Sequence, residues 1–162
     1  MGIAIGLARY LAERGVPYDV IEHPHTETAL QSAQASRIPP DRIAKAVVLK
    51  GGDGFMLAVL PASRHIQFGE LREALGHDMD FANEEQVETL FFDCELGAVP
   101  ALGAAYGLKV IVDDSLIGQP EIYLEGGDHS SLVHISKASF QELFADARHA
   151  QFTGSAEHSG AR

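Results

Sequence analysis

The sequence predicts an α+β domain built on a mixed, partly barrel-like β-sheet with surrounding helices. Segments in which apolar side chains alternate, as they do in strands, outnumber the segments with helical spacing. The two kinds do not alternate strictly along the chain, which favours this fold class. The 162 residues, of which 46% are hydrophobic and 22% charged, suffice for one domain with a proper core.

The N-terminal part begins with a helix and a strand. Apolar residues at helical spacing predict a first helix over residues 3–14, and a strand is predicted over 16–22. Residues 23–26 form a loop. Thr28 with Gln31 resembles a capping box, which predicts that a short second helix opens there.

The middle of the chain carries a hairpin signal. A strand over 43–50 is followed by the glycine-rich turn 51–54 and a returning strand over 55–60. Two short helices are predicted next, over 70–75 and over 83–90. The second begins with Asn and Gln in capping-box positions.

The C-terminal half predicts more strands than helices. Residues 91–100 are predicted to hold a strand and the beginning of a glycine-containing loop, and Ser136 opens a final helix. Three further strands are predicted, over 109–113, 121–125 and 132–136. We expect a single domain over residues 1–150 and a disordered tail over 151–162.

Lys45 lies at the centre of the strand predicted over 43–50. Because side chains alternate between the two faces of a strand, Lys45 shares its side with apolar neighbours. These are Ile43, Val47 and Leu49. A buried ammonium without a partner is costly, so a lysine that faces a pocket usually has an anionic or carbonyl-rich partner. From the strand alone, a pocket-facing ammonium and a rim lysine with a packed stem both stay open.

The segment Gly97–Gly103 has no charged and no hydroxyl side chain. Any chemistry there must come from backbone N–H groups and from shape. Glycines let a backbone approach a ligand closely, and Pro100 stiffens the path. The loop could direct donors at a carbonyl or a developing oxyanion, and the alternative is a plain turn.

Three histidines are candidate site residues. His23 and His25 stand two apart, as metal ligands on a strand could, but no third ligand can be placed from the sequence. Local hydrogen bonding is the simpler interpretation, and we expect no metal and no cofactor. His134 projects to the face opposite Val133 and Ile135, where it lines a pocket or is a core histidine with satisfied hydrogen bonds.

The single cysteine, Cys94, excludes an intramolecular disulfide framework and a cysteine-rich zinc site. It stands between Asp93 and Glu95, whose negative charge raises a thiol pKa, the wrong direction for a nucleophile. The sequence also contains no nucleophile elbow, no phosphate-binding glycine–lysine loop and no dinucleotide fingerprint. We therefore interpret Cys94 as structural.

Charge and hydropathy limit the classes of partner. The net charge of −11 argues against a general nucleic-acid binder, DNA included, yet residues 37–72 carry +3 and the rest −14. A local basic region on an acidic body suits one small anionic end of a partner, and ordinary solvated charges are the alternative. No apolar run has membrane-spanning length, and Arg9 interrupts the apolar start without a preceding basic region. We expect a cytoplasmic protein without a membrane partner.

Together these features resemble the YbaK/prolyl-tRNA-synthetase-associated family of aminoacyl-tRNA editing domains. Three segments carry the resemblance: His23–Thr26, the lysine strand Ile43–Leu49, and the loop Asp93–Gly103 about fifty residues later. Their order and spacing match over roughly residues 5–147. The loop differs from a more usual form, which has a second proline where Ala101 stands.

The resemblance implies a compact fold with a pocket between the lysine strand and the glycine loop. Family members hydrolyse the ester that joins a wrong amino acid to the terminal adenosine of tRNA, with a ribose hydroxyl assisting the attack. The family lysine matches Lys45, which implies that it orients the aminoacyl-adenosine end. The implied substrate-binding residues are His25, Thr26, Gly97, Ala98, Val99, Pro100, Gly103 and, as a pocket histidine, His134.

The expected function is thus a freestanding aminoacyl-tRNA deacylase that binds the 3′ end of tRNA, with help from a synthetase or another carrier. A synthetase pocket discriminates a missing methylene by only about 1–3 kcal/mol, so a second sieve is useful. The main alternative is a non-catalytic module that binds an aminoacyl group or small molecule or recruits tRNA. A metal-dependent hydrolase using His23 and His25 is a further alternative.

Overall fold

The computed structural model describes residues 3–52 and 54–155. Its helices are α1 (Ile5–Glu13), α2 (Ala29–Ser36), α3 (Phe68–Leu75), α4 (Glu84–Leu90) and α5 (Lys137–Leu143). Its strands are β1 (Asp19–Glu22), β2 (Ile43–Gly51), β3 (Gly54–Pro61), β4 (Arg64–Ile66), β5 (Asp80–Phe81), β6 (Lys109–Asp113), β7 (Glu121–Glu125), β8 (Ser131–Ser136), β9 (Arg148–Ala150) and β10 (Thr153–Ser155). Short 3-10 turns cover Pro40–Arg42, Gly103–Tyr106 and Asp114–Leu116.

Eight of the strands form one mixed sheet. Its order is β1-β8-β7-β2-β3-β6-β9, and β5 also pairs with β2. The pairs β2–β7, β3–β6 and β6–β9 are parallel, and the other pairs in this sheet are antiparallel. β4 and β10 form a separate antiparallel pair. The arrangement confirms the predicted α+β class with a mixed sheet and surrounding helices.

Buried side chains lie on both faces of the sheet. One face packs against α1 and α5, with Leu11 and Phe140 in the largest cluster. The other face carries two smaller clusters, one beside α2 with Ala33 and one beside α3 with Leu71. Among the residues described, no helix combines the length and the apolar character needed to cross a membrane.

Both predicted capping motifs are present, one of them complete. The Asn83 side chain accepts from the Gln86 N–H at 2.8 Å, and the Gln86 side chain accepts from the Asn83 N–H at 2.9 Å. Thr28 likewise accepts from the Gln31 N–H at 3.1 Å, but the Gln31 side chain accepts from the N–H of Glu27 instead. The starts of α4 and α2 were therefore readable from neighbouring residues alone.

The strand predicted within residues 91–100 was wrong, because this segment forms turns and a loop. The N–H of Cys94 donates to the carbonyl of Phe91 at 3.0 Å, and the N–H of Ala98 donates to the carbonyl of Glu95 at 3.1 Å, so the backbone closes turns instead of extending. Asp93 is held by the N–H of Gly6, which donates to its Oδ2 at 2.8 Å. The loop is thus built around a contact with α1 rather than around a strand ladder.

The predicted disordered tail was wrong for residues 151–155. Phe152 is fully buried, its N–H donates to Asp113 Oδ1 at 2.9 Å, and its carbonyl accepts from the N–H of Gln67 at 2.7 Å. β10 then pairs with β4. One aromatic residue in a polar segment is a weak sequence signal, and its partners lie far away in the chain. The rest of that prediction, residues 156–162, lies outside the described residues.

Candidate functional site

The turn that joins β7 to β8, residues 126–130, connects two distant segments of the chain. The N–H of Thr26 donates to the carbonyl of His129 at 3.0 Å. The N–H of Glu95 donates to the carbonyl of Gly127 at 2.8 Å. The predicted segment 23–26 and the glycine loop therefore meet on this one turn.

His129 lies at the point of contact, and the sequence analysis missed it. It is 5% exposed, and its φ of 62° is unusual for a residue with a side chain. Its Nε2 bonds to the carbonyl of Leu96, and since a carbonyl only accepts, Nε2 carries the proton. Nδ1 is buried without a hydrogen-bond partner among the described residues. The His129 ring also lies 5.3 Å from the ring of His25, centroid to centroid.

Gly97 is required for this approach. Its φ is +84°, a region that favours glycine. A Cβ at this position would lie 3.1 Å from the carbonyl oxygen of Glu27 and 3.1 Å from Cε1 of His129. Only a residue without a side chain lets the loop pass this close to both groups.

The rest of the predicted loop is directed into the protein. The side chains of Ala98, Val99 and Pro100 are buried, and the N–H of Ala98 donates to the carbonyl of Glu95 at 3.1 Å. At Gly103 an added Cβ would lie 2.6 Å from a methyl group of Val110. The structure therefore brings Gly97 to the site, whereas it places Gly103 against the core beside β6.

Lys45 has the orientation that strand alternation predicts. Ile43 and Leu49 belong to the clusters beside α2 and α3, whereas Ala44 and Val48 belong to the cluster on the α1 face. Lys45 therefore projects to the same side as Ile43, and its side chain is half-buried.

The sheet opens beside Lys45. The parallel pairing of β2 with β7 covers only Ile43 with Tyr123 and Ala44 with Leu124. Further along, β2 pairs on this side with β5, at Leu49 and Lys50. The lysine thus follows directly on the last paired residue, where a ligand can approach the edge of β2.

Glu125 is a second ionisable group on this face, and the sequence analysis did not single it out. It has the same parity on β7 as Tyr123, which packs in the cluster beside α2, and it is 2% exposed. Its Oε2 accepts from the Ser32 hydroxyl at 3.3 Å, and Ser32 Oγ lies 2.7 Å from Thr26 Oγ1. Its Oε1 has no hydrogen-bond partner among the described residues.

Burial raises the pKa of Glu125 to about 7. The hydrogen bond from Ser32 lowers this pKa, and the negative charge of Asp128 raises it further. A carboxyl group with such a pKa changes its charge near neutral pH. Shifted carboxyl groups of this kind are often found at functional sites.

His134 lies among charged residues on the same face. Its Nε2 is 2.6 Å from Glu121 Oε1, its Nδ1 is 3.4 Å from Asp19 Oδ2, and its ring stacks on Tyr123 at 4.7 Å. Both ring nitrogens are thus occupied, and His134 does not take part in the contacts around Gly97. Its predicted role in substrate binding stays a prediction.

The two candidate metal ligands His23 and His25 lie in different environments, one buried and one exposed. His23 is 8% exposed and its Nδ1 lies 2.7 Å from the carbonyl of Pro24. His25 is exposed, and its Nδ1 is 3.5 Å from a carboxylate oxygen of Glu27. Over the described part of the chain, no group of three His, Cys, Asp or Glu side chains has a geometry that could hold a metal ion.

A cavity of about 670 Å³ lies elsewhere, at the hairpin end of β3. Among the predicted site residues only Gly103 lines it, beside apolar side chains such as Phe55 and Leu102. Since the polar groups described above converge on the turn 126–130, that turn and the adjoining face of β2 form the candidate site.

Comparisons with known proteins identify the family to which the chain belongs. A family model described as an aminoacyl-tRNA editing domain matches residues 23–143. A proline–tRNA ligase of Thermosipho africanus (strain TCF52B) is 31% identical over 108 residues, which cover 62% of this chain but only 19% of the ligase. The match thus concerns a minor part of that relative.

Two solved structures are similar over almost the whole chain. One is a protein whose suggested role is that of a trans-editing enzyme for prolyl tRNA synthetase, with 27% identity and a TM-score of 0.80. The other comes from work on epitope backbone grafting onto scaffold proteins, with 26% identity and a TM-score of 0.79. In each case the similarity covers 92% of this chain and 95% of the other.

Proposed function

We propose that this chain, which belongs to the family of aminoacyl-tRNA editing domains, removes wrongly attached amino acids from tRNA by hydrolysing the ester at the terminal adenosine. One observation carries the proposal. The turn 126–130 brings Gly97 and Thr26 together beside the sheet face on which Lys45 and Glu125 lie. Such a site combines a close-approaching backbone with a cation and a carboxyl group, as an aminoacyl ester requires.

Lys45 binds and orients the aminoacyl-adenosine end, because its ammonium is the cation that projects from β2 at the opening beside β7. A charged donor forms hydrogen bonds roughly twice as strong as a neutral one, which suits a polar ester or a phosphate oxygen. Gly97 lets its loop pack closely against His129 and the Glu27 carbonyl, and we infer that this packing holds the loop backbone beside the ester group.

The attack on the ester carbonyl relies on the substrate. Cys94 is a poor nucleophile, because burial raises its pKa to about 12. The hydrogen bond with Tyr106 lowers this pKa, but less than burial raises it, and Asp93 raises it further. As the resemblance to the editing family implies, a ribose hydroxyl of the tRNA assists the attacking water, and the protein positions the two. This division of labour is consistent with the lack of a catalytic triad in the sequence.

The partners follow from the chemistry of the substrate. The ligand is the 3′-aminoacyl end of tRNA, whose unstacked terminal nucleotides are the part of an RNA that proteins read most readily. With a net charge of −11 the chain repels the tRNA body, so a synthetase or other carrier delivers the substrate.

The test is deacylation of a panel of mischarged tRNAs by catalytic amounts of purified protein in the presence of a chelator. We expect turnover of at least one mischarged tRNA, and a strongly reduced rate on tRNA that ends in 2′-deoxyadenosine. Protection of the ester without turnover would indicate the binding module. Inhibition by chelator that zinc reverses would instead support the metal-dependent hydrolase.

A further inference from the structure

Only one of the two carboxyl oxygens of Glu125 accepts a hydrogen bond from the described residues. Oε2 accepts the Ser32 hydroxyl at 3.3 Å, which ties α2 to the sheet. Oε1 has neither solvent contact nor a hydrogen-bond partner within the described residues. A buried carboxyl oxygen without a partner destabilises the fold, so its presence calls for an explanation beyond packing.

The surroundings of Glu125 connect it to the candidate site. Ser32 Oγ lies 2.7 Å from Thr26 Oγ1, and Thr26 donates its N–H to the His129 carbonyl, the contact that joins the segment to the turn. Thr26 is half-buried and follows the exposed His25, so this row of hydroxyl groups leads from the surface to the carboxyl group. Lys45 projects from the neighbouring strand to the same face.

Resting on the proposed function, we propose that Glu125 Oε1 binds the α-ammonium group of the aminoacyl ester. This ammonium is the one cationic group of an aminoacyl-adenosine end, and it lies two bonds from the ester carbonyl. A carboxylate is its natural partner, because a charge-assisted hydrogen bond is stronger than a neutral one. Since Oε1 is closed to water, entry of the ligand requires the Thr26 segment to shift.

This assignment gives the site a specificity that Lys45 alone cannot provide. A site with a buried carboxylate for the ammonium disfavours an ester whose amino group is acylated, because acylation removes the positive charge and two of the three N–H donors and adds an acyl group to the buried site. The protein would therefore discriminate aminoacyl esters from N-acylated ones, such as peptidyl or formylated esters. Nearby positive charge also stabilises the ionised form of the carboxyl group when the ligand binds.

Binding is measured by calorimetry with two stable probes, 3′-deoxy-3′-(L-alanylamino)adenosine and its N-acetyl derivative. Both keep the 2′-hydroxyl and neither is hydrolysed as an ester, so the readout does not depend on catalysis. Alanine has the smallest chiral side chain and makes the least demand on the side-chain pocket. We expect the wild type to prefer the free amine, and Glu125→Gln to reduce that preference by about ten- to a hundredfold.

Glu142→Gln is the matched control, since it removes one negative charge from an exposed position of α5 and should keep the wild-type preference. The preference is a ratio within one sample, so a partly unfolded variant does not distort it. Equal preference in Glu125→Gln and the wild type, or no preference in the wild type, overturns the proposal. Deacylation of alanyl-tRNA and N-acetylalanyl-tRNA is measured in parallel, so that a failure of catalysis is distinguished from a failure of the ammonium site.

Discussion

Asp93 is half-buried and Glu125 is buried, and their oxygens are satisfied to different degrees. Oδ2 of Asp93 accepts from the N–H of Gly6 at 2.8 Å, and Oδ1 accepts from the Tyr106 hydroxyl at 2.8 Å. Glu125 accepts one hydrogen bond, from Ser32, on one of its two oxygens.

The two carboxyl groups respond differently in their pKa. At Asp93 burial acts to raise the pKa, but the hydrogen bonds from Gly6, Tyr106 and Cys94 outweigh it and hold the pKa below its ordinary value. At Glu125 burial prevails and raises the pKa to about 7. Asp93 is less deeply buried and accepts more hydrogen bonds than Glu125, and both differences act in the direction observed.

The comparison separates the parts of the molecule that hold the fold from the part that can bind a ligand. Asp93 connects the start of α1 to the loop before Gly97, and its hydrogen bonds are complete. Glu125 leaves one oxygen for a partner that the fold does not supply. Four predictions test this division, from the largest expected effect to the smallest.

Lys45→Ala should reduce deacylation by about ten- to a hundredfold or more without unfolding the protein, because a hydrogen bond to a charged group contributes about 1.5–3 kcal/mol. Lys50→Ala is the control, since Lys50 lies on the same strand with opposite parity and is exposed. It should lose little activity, and mainly at low salt. Deacylation rates are measured for both variants, and circular dichroism checks that each is folded. An inactive Lys50→Ala together with an active Lys45→Ala would contradict the proposed site.

Glu125 should make the protein less stable as the pH rises from 4.5, the ordinary pKa of a glutamate, to about 7, the pKa of Glu125 in the folded protein. In that window the folded protein holds a proton that the unfolded chain has released, so the free energy of unfolding falls, by on the order of 3 kcal/mol in total. Above about pH 7 this contribution levels off. Urea unfolding at a series of pH values checks it, and Glu125→Gln should lack this part of the slope.

Asp93→Asn should lower the free energy of unfolding by about 1–3 kcal/mol, because an amide offers one acceptor oxygen for two separated donors, Gly6 and Tyr106. The contribution of Asp93 is of opposite sign to that of Glu125. Its lowered pKa means that stability is present above the unfolded pKa and is lost as the pH falls through the folded pKa. Asp146→Asn, at an exposed position, serves as control. A variant as stable as the control would show that Asp93 does not anchor α1.

Phe92→Ser should change the free energy of unfolding by less than about 0.5 kcal/mol and leave deacylation unchanged. Phe92 is next to Asp93 in the chain but 82% exposed, so its removal leaves the hydrogen bonds of the loop intact. A marked loss of stability in a urea titration would mean that the loop is held by apolar contacts and not by Asp93.

The elements that the sequence predicted well depend on near neighbours. The capping box of Asn83 with Gln86 closes within four residues, and the hairpin of β2 and β3 turns over a few glycine-rich positions. Errors occurred where distant partners decide. The loop within residues 91–100 depends on the contact of Asp93 with Gly6, and the burial of Phe152 depends on Asp113 and β4.

The candidate site divides in the same way. Lys45 was predictable, because a period of two along one strand determines its face whatever packs there. The resemblance named Thr26 and Gly97, but not the residue that joins them. In the sequence the turn 126–130 is only a glycine-rich connection between two predicted strands. The histidine predicted for the pocket was His134, which the structure pairs with Glu121 and Asp19.

By itself, the sequence determined the class of the fold, the helix caps, the face of Lys45 and the order of the family segments, because each depends on local spacing along one chain. Only the tertiary structure decided that His129 meets Gly97, and that Glu125 keeps an unpaired oxygen beneath Thr26 and Ser32. Hydrogen bonds between segments roughly a hundred residues apart leave no periodic trace in the sequence. Whether a buried carboxyl group is satisfied therefore depends on which segments the fold brings beside it.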